Sequence, residues 1–373
     1  MMDQQAFEAL FGSFNHTKIG VVGDIMLDTY WWGSVDRISP EAPVPIVSLQ
    51  RKETRVGGAA NVALNLCALG APTTLFAVIG KDAEGKELNT LLKQSGINTN
   101  HIHESETRVT TNKVRIMGRN QQMMRLDHEH TNDINEAETE KLLESFYAYV
   151  DTEKPSLIIL EDYNKGVLNE KVIKAVIEYC NSKGIPTSVD PKQKNFLAFK
   201  GCTIFKPNLK EVKEGLKMEI PTVNLSQLTN VDTALRNHLQ HQISFITLSE
   251  HGVYYGGAEG HKLIPTHIRN IADVSGAGDT FIQVLPEAGY IVRQKGKQKY
   301  LVTGTTTGLT GAVYTANVAN TALLPNTMTI TATYANSGTV KVQSLSDHTA
   351  ELFTATSGPV ATGNIVLQNA NPA

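Results

Sequence analysis

Between residues 18 and 249 the chain repeats one short pattern: a few apolar residues, then glycine or polar residues at once. Lys18-Ile-Gly-Val-Val-Gly23, Thr74-Leu-Phe-Ala-Val-Ile-Gly80, Ser156-Leu-Ile-Ile-Leu160, Thr187-Ser-Val-Asp190, Cys202-Thr-Ile-Phe-Lys206 and Ser244-Phe-Ile-Thr-Leu-Ser249 all follow it. Runs this short and this apolar read as strands buried on both faces. Helical stretches separate them. A small-residue helix follows Gly57-Gly58, and Lys86–Gln94 is ended by Gly96. Ile134–Val150 takes Asn132 or Asp133 as its cap, Asn169–Lys183 is closed by Gly184, and a further helix opens at Asn208. This alternation predicts an α/β fold: a doubly wound, mostly parallel sheet with helices on both faces and one chemically loaded edge.

Two stretches do not fit the middle of such a sheet. Residues 33–56 carry three prolines among short β-like runs and read as an extended flap. Residues 107–127 read as a β-ribbon turning at Gly118-Arg-Asn120, and Arg108, Lys113, Arg115, Arg119 and Arg125 make it basic. The basic ribbon suits a phosphorylated ligand, or simply a solvated strand face. The chain as a whole is slightly acidic, with a net charge of -3 over 373 residues. That balance gives no bulk reason to expect nucleic acid or an anionic membrane. No apolar run reaches the ~18 residues of a membrane span. Residues 4–14 read as a short amphipathic helix rather than a signal peptide. Cys67, Cys180 and Cys202 form no metal or disulfide spacing, so the expected setting is reducing and cytoplasmic.

Candidate functional residues stand at the strand ends. Asp24 and Asp28 follow the first strand and suit sugar hydroxyls, or a helix cap with a surface acid. Gly57 and Gly58 permit close approach of backbone to ligand, and Asn61 both donates and accepts hydrogen bonds; tight helix–sheet packing needs the same small residues. In Val274-Ser-Gly276-Ala277-Gly278-Asp279-Thr280, successive N–H groups can cradle a phosphate while the aspartate takes a proton from an attacking hydroxyl. A glycine-rich turn with a capping aspartate has the same composition.

Taken together these residues resemble the ribokinase-like (PfkB) family of carbohydrate kinases, from about residue 16 to Ile282. The motifs are Gly23-Asp-Ile-Met-Leu-Asp28, Arg37-Ile-Ser-Pro-Glu-Ala-Pro-Val-Pro45, Gly57-Gly-Ala-Ala-Asn61, Arg119-Asn-Gln-Gln122 with Arg125-Leu-Asp127, Asp162-Tyr-Asn-Lys-Gly166, Asp190-Pro-Lys192, Pro207-Asn-Leu-Lys-Glu211 and Gly276-Ala-Gly-Asp279. The Arg37–Pro45 and Arg119–Gln122 segments are the narrower ones. They resemble the branch that phosphorylates the anomeric hydroxyl of D-glycero-β-D-manno-heptose 7-phosphate to the 1,7-bisphosphate, on the way to ADP-heptose for the lipopolysaccharide core.

The resemblance implies a ribokinase-like fold with a small β lid at 33–56 and 107–127, and ATP and Mg²⁺ as cofactors. It implies Asp279 as catalytic base and the N–H groups of Gly276, Ala277 and Gly278 as an anion hole. Asn208 and Glu211 would act on Mg²⁺ and the ATP phosphates, Glu211 through water, and Ser249 and Gly252 would line the nucleotide side. Asp24, Asp28, Gly57, Gly58 and Asn61 would hold the sugar. Asn112, Lys113, Arg115 and Lys192 are candidates for the substrate's own phosphate. Partners would be the sugar phosphate, ATP and a second copy paired through the lid. Adenylylation of the sugar is not expected.

The pattern breaks after Ile282. Pro286 and Gly289 disfavour the long helix that the family places after Gly-Ala-Gly-Asp. The sequence reads as a kinase domain, 1–282, C-terminally truncated, then a basic linker, 283–300, then a β-rich, sandwich-like module, 301–373. In the module Thr327–Tyr334 and Thr339–Gln343 alternate with period two around Asn336-Ser-Gly338 and predict a hairpin, and Ala350–Thr356 and Asn364–Gln368 are further strands. Two other functions stay open: a catalytically impaired kinase fragment fused to a structural or binding module, and a kinase for another sugar.

Overall fold

The structure, a computed structural model, describes residues 12–118 and 121–265, together with the backbone of six strands between residues 290 and 368. In chain order the elements are β1 (Ile19–Gly23), β2 (Ile25–Ile38), β3 (Pro45–Gly58), α1 (Ala59–Ala68), β4 (Thr73–Gly80), α2 (Ala83–Gln94), β5 (Asn98–Ser105), β6 (Asn112–Gly118), β7 (Gln121–His128), α3 (Glu136–Glu153), β8 (Leu157–Glu161), α4 (Glu170–Lys183), β9 (Thr187–Asp190), β10 (Ile204–Phe205), α5 (Leu209–Leu216), α6 (Leu225–Leu239), β11 (Ile243–Thr247), β12 (Val253–Gly257) and β13 (Gly260–Ile264). Beyond them lie β14 (Tyr290–Arg293), β15 (Lys299–Thr305), β16 (Thr327–Ala332), β17 (Gly338–Ser344), β18 (Glu351–Ser357) and β19 (Gly363–Gln368). The chain divides into two compact units, Met1–Thr280 and Phe281–Ala373.

The first unit is built on a nine-stranded sheet ordered β13-β12-β11-β10-β9-β8-β1-β4-β5. From β5 to β11 all neighbours are parallel; β12 and β13 add an antiparallel edge. Alternate side chains feed two cores. Ile19 and Val21 of β1, with Leu75, Ala77 and Ile79 of β4, pack on one face with Ala59, Ala60, Ala63, Leu88 and Leu92. Val22, Phe76 and Val78 pack on the other with Phe146, Val172 and Val176. That two-sided burial is why these strands read as unbroken apolar runs. Gly23 serves a different need: a Cβ there would meet the Glu161 carbonyl oxygen at 2.1 Å, across the β1–β8 pair.

The two excursions form one four-stranded sheet, β3-β2-β6-β7. It begins earlier than the flap expected from sequence, because β2 starts at Ile25 with only Asp24 between it and β1. Arg108 precedes β6 and does not belong to the basic ribbon; its guanidinium donates to the carbonyls of Asn132 and Lys165. Helix starts also differ from the reading. The cap of α3 is Asn135, not Asn132 or Asp133, because Asn135 and Glu138 exchange the reciprocal bonds of a capping box. Helix α2 starts at Ala83, not Lys86, because the Asp82 side chain accepts from the Gly85 N–H. The expected helix at 4–14 lies mostly outside the described residues.

In the second unit, β14-β15-β17-β18 make one antiparallel sheet and β16-β19 another. The hairpin expected between 327–334 and 339–343 is not formed: β16 pairs with β19, while β17 pairs with β15 and β18. Strand β14 falls within the stretch expected to be linker.

Candidate functional site

Because β4, β1, β8, β9, β10 and β11 run parallel, their carboxyl ends share one edge of the sheet. Asp24, Asp162, Lys192, Asn208 and Ser249 stand just beyond β1, β8, β9, β10 and β11. Position in the topology gathers them, as expected for an open α/β sheet.

Asp24 is the joint between the two sheets. It is 1% exposed. Its Oδ2 accepts the backbone N–H groups of Tyr163 and Lys165, both at 2.9 Å, and its Oδ1 accepts that of Val167 at 3.1 Å. Its carbonyl accepts the Ala59 N–H at 2.9 Å at the start of α1. Burial raises its pKa, and the three N–H groups and Arg108 work in the opposite direction. Both carboxylate oxygens are thus engaged with the 163–167 loop, so Asp24 positions that loop. Gly57 and Gly58 close the joint from β3. A Cβ on Gly57 would meet Asp28 Oδ2 at 2.3 Å; one on Gly58, at φ +63, would meet the Asp24 carbonyl at 2.4 Å. Asn61 lies in the first turn of α1, half-buried.

Asp28 pairs with Arg115 across β2 and β6, and the guanidinium also lies 5.3 Å from the centre of the Tyr30 ring. Strand alternation separates the ribbon candidates. Lys113 and Arg115 share a face. Asn112 lies on the other, where its Oδ1 accepts from the Thr29 hydroxyl at 2.8 Å and it helps line a hollow of about 290 Å³ with Thr29, Trp31 and Glu84.

A compact ionic cluster sits at the central strand ends. Lys192 Nζ is 2.6 Å from Glu211 Oε1 and 4.0 Å from Asp190; Lys206 Nζ is 2.5 Å from Asp190 Oδ2. Burial opposes both ammonium charges. For Lys192, Asp190 and then Glu211 outweigh it; for Lys206, the charge and hydrogen bond of Asp190 outweigh it; both pKa values stay above the ordinary value. Asn208 caps α5, its side chain accepting the Glu211 N–H at 2.9 Å while Glu211 Oε2 accepts the Asn208 N–H at 2.8 Å. Lys192 therefore belongs with Glu211, not with the basic ribbon. Asp162 lies between the groups: burial and then the charge of Asp24 push its pKa up to about 6, with Lys192 and hydrogen bonds pulling the other way. Its Oδ2 is buried without a hydrogen-bond partner.

Ser249 and Gly252 bracket a single 3-10 turn between β11 and β12, both with positive φ (53° and 88°). Gly276, Ala277, Gly278 and Asp279 lie outside the described residues. The sequence reading gave Asp190 no role beyond its motif and did not single out Lys206 or Glu129; Asp190 holds Lys206 and Glu129 holds Lys165, and only their places at or just beyond the ends of β9, β10 and β7 mark them. Among the described residues no three His, Cys, Asp or Glu side chains cluster closely enough to cage a metal, and no helix is long and apolar enough to cross a membrane.

Comparison with known proteins agrees with this arrangement. The chain is 40% identical over 286 residues to the bifunctional protein HldE of Methylobacillus flagellatus, covering 76% of this chain and 58% of that one. It is 40% identical over 273 residues to the bifunctional protein HldE of Coxiella burnetii, covering 73% and 55%. The chain thus spans little more than half the length of these relatives. Among solved structures, phosphofructokinase-2 from Escherichia coli in its tetrameric inhibited form superposes with a TM-score of 0.58 at 18% identity, covering 70% of this chain and 84% of that one. Arabidopsis thaliana ribokinase complexed with ribose and ATP gives 0.51 at 18% identity, covering 70% and 82%. These two establish a ribokinase-like α/β fold with a mostly parallel sheet. The model of the pfkB family carbohydrate kinases matches residues 16–285, and the chain belongs to that family.

Proposed function

We propose that the unit 1–280 transfers the γ-phosphoryl group of ATP to the anomeric hydroxyl of D-glycero-β-D-manno-heptose 7-phosphate, giving the 1,7-bisphosphate and ADP. What supports this most is the placement of Asp24, Lys192, Asn208 and Glu211 at one edge of the nine-stranded sheet, with Asp28 and Lys113 on the four-stranded sheet whose strand β2 follows Asp24 directly. Phosphoryl transfer asks a protein mainly for positioning and charge stabilisation, and this edge supplies both. In this reading Asp279 takes the proton of the anomeric hydroxyl as its oxygen bonds to phosphorus and the bond to ADP breaks. The N–H groups of Gly276, Ala277 and Gly278 hold the transferring phosphoryl oxygens. Asp28, Gly57, Gly58 and Asn61 bound the sugar, with Asp24 fixing the loop beside it, and Ser249 and Gly252 bound the nucleotide. The four-stranded sheet is the lid.

Mg²⁺ takes most of its ligands from phosphate and water, with one or two carboxylates. Glu211 fits that role through water, since both its oxygens already hold protein donors. When bound, the ion neutralises charge on the ATP phosphates. We also propose that two copies pair through the lid, where Ile38, Leu49, Met124 and Leu126 are exposed.

The test is ADP formation with the heptose 7-phosphate, ATP and Mg²⁺; turnover no higher than that of an Asp279→Asn control sinks the reading. One observation favours a second reading, an impaired kinase fragment joined to a β-rich module: the family match ends at residue 285, close to the boundary between the units. Sugar binding without turnover supports that reading. Faster turnover of an unphosphorylated hexose identifies a kinase for another sugar.

A further inference from the structure

Among the described residues, the face of the lid that carries Asp28 holds Arg51, Arg55, Lys113, Arg115 and Arg125 on the sheet, and Lys165 from the loop beside it. All but Lys113 have carboxylate partners: Arg51 and Arg55 share Glu53. Arg115 pairs with Asp28, Arg125 with Asp127 at 2.8 Å, and Lys165 with Glu129 at 2.8 Å. Lys113 has none at ion-pair distance among the described residues, although Glu129 and Asp127 are near enough to act on it. It is half-buried, and its pKa lies below the ordinary lysine value, first through burial and then through the positive charge of Lys165. A desolvated ammonium beside other cations is costly unless an anion completes the set. Its neighbour on the same face, Arg115, is already committed to Asp28. Lys192 is committed to Glu211, and Asn112 to Thr29 on the opposite face.

Resting on the proposed kinase reading, we infer that Lys113 binds the phosphate monoester that the sugar substrate already carries, and so sets the preference for phosphorylated over unphosphorylated sugar. A dianionic phosphate supplies the missing counter-charge, and its three oxygens suit a lysine as a compact point charge. Lys165 adds long-range attraction while its own pair with Glu129 holds it in place. Arg115 acts differently: it fixes Asp28 and is not the phosphate ligand.

The experiment is calorimetric titration of the full chain with the heptose 7-phosphate and, separately, the unphosphorylated heptose, for wild type, Lys113→Met, Lys113→Arg and Arg125→Ala. It reads binding, so it does not depend on turnover. Wild type is expected to prefer the phosphorylated sugar. Lys113→Met should erase about 10- to 100-fold of that preference, the size of one charge-assisted contact, while leaving the unphosphorylated sugar's affinity unchanged. Lys113→Arg should keep most of the preference, and Arg125→Ala nearly all of it. Thermal melting confirms that each variant is folded. A preference that survives in folded Lys113→Met overturns the assignment, as does a loss confined to ATP binding, which would make Lys113 a nucleotide contact. Wild type that binds neither sugar removes the kinase reading and this assignment with it.

Discussion

The nine-stranded and four-stranded sheets meet at Asp24 yet are stabilised in different ways. Every residue of β1 and of β4 is buried, and their side chains divide between two cores. Every residue of β7 is exposed. The upper strands of the small sheet rely instead on ladder hydrogen bonds, ion pairs such as Arg115–Asp28, and guanidinium groups over Tyr30 and Trp32. Burial makes the large sheet a fixed platform, because close-packed interiors resist displacement. Exposure leaves the small sheet's side chains available to a ligand. In the proposed reading, the difference puts rigidity where phosphate would be held and adaptability where sugars would be told apart.

Substitutions can test that contrast, and the largest effect is expected at the platform. Gly23→Ala forces a methyl group onto the Glu161 carbonyl, where the nearest atoms are the Glu161 backbone and Cβ and no flexible side-chain end can yield. It should cost more than about 3 kcal/mol in urea unfolding, and a cost below about 1 kcal/mol would mean the platform yields. Asp24→Ala leaves the N–H groups of Tyr163, Lys165 and Val167 without their acceptor and should cost about 3 kcal/mol. Asp24→Asn, which keeps one carbonyl oxygen, should cost less.

Next is a pH effect at Asp162. Its folded pKa of about 6 stands above the unfolded value, so its contribution is full below pH 3.8 and is lost as pH rises through 6. The stability of wild type relative to Asp162→Asn should fall by up to about 3 kcal/mol between pH 4 and pH 7; a flat difference would show that Asp162 ionises normally. In the four-stranded sheet, Arg115→Ala removes a partly buried pair and its contact with Tyr30. It should cost about 1–2 kcal/mol. Arg125→Ala should cost less than about 0.5 kcal/mol, because its partner lies on an exposed strand. Equal costs at Asp24 and Arg125 would erase the distinction between the sheets.

Legibility in the sequence followed the same line. The strands at Lys18–Gly23, Thr74–Gly80 and Ser156–Leu160 were readable because two-sided burial demands apolar residues at successive positions. Strand β5 was not, since Asn-Thr-Asn-His-Ile-His-Glu-Ser has one aliphatic residue and sits at the sheet edge. Helix α6 was also passed over, although its heptad-like apolar residues Leu228, Val231, Leu235 and Leu239 are all buried. The α3 cap was misplaced by preferring the first polar residues after the ribbon to the Asn135–Glu138 spacing. In the site, residue type and place after a strand identified Asp24 and Asp28, while Lys192 and Glu211 came from the family resemblance. Their engagements could not be read, because Lys192–Glu211 and Asp24 with residues 163–167 are contacts between distant segments. Nor does sequence period alone say whether Thr327–Ala332 pairs with the next strand or with β19.

The grip of Asp24 also orders events in time. Its three N–H partners lie 139, 141 and 143 residues further along the chain. Strand β1, made before the other described strands, rests between β4 and β8, and β8 is made much later. A growing chain can assemble β2, β3, α1 and β4 early, but it cannot close the Asp24 joint until about residue 167 has emerged. Long-range closure of this kind slows folding. The joint on which the proposed chemistry depends is thus among the last parts of the N-terminal half to lock, and hydrogen exchange at Tyr163, Lys165 and Val167 marks the moment it does.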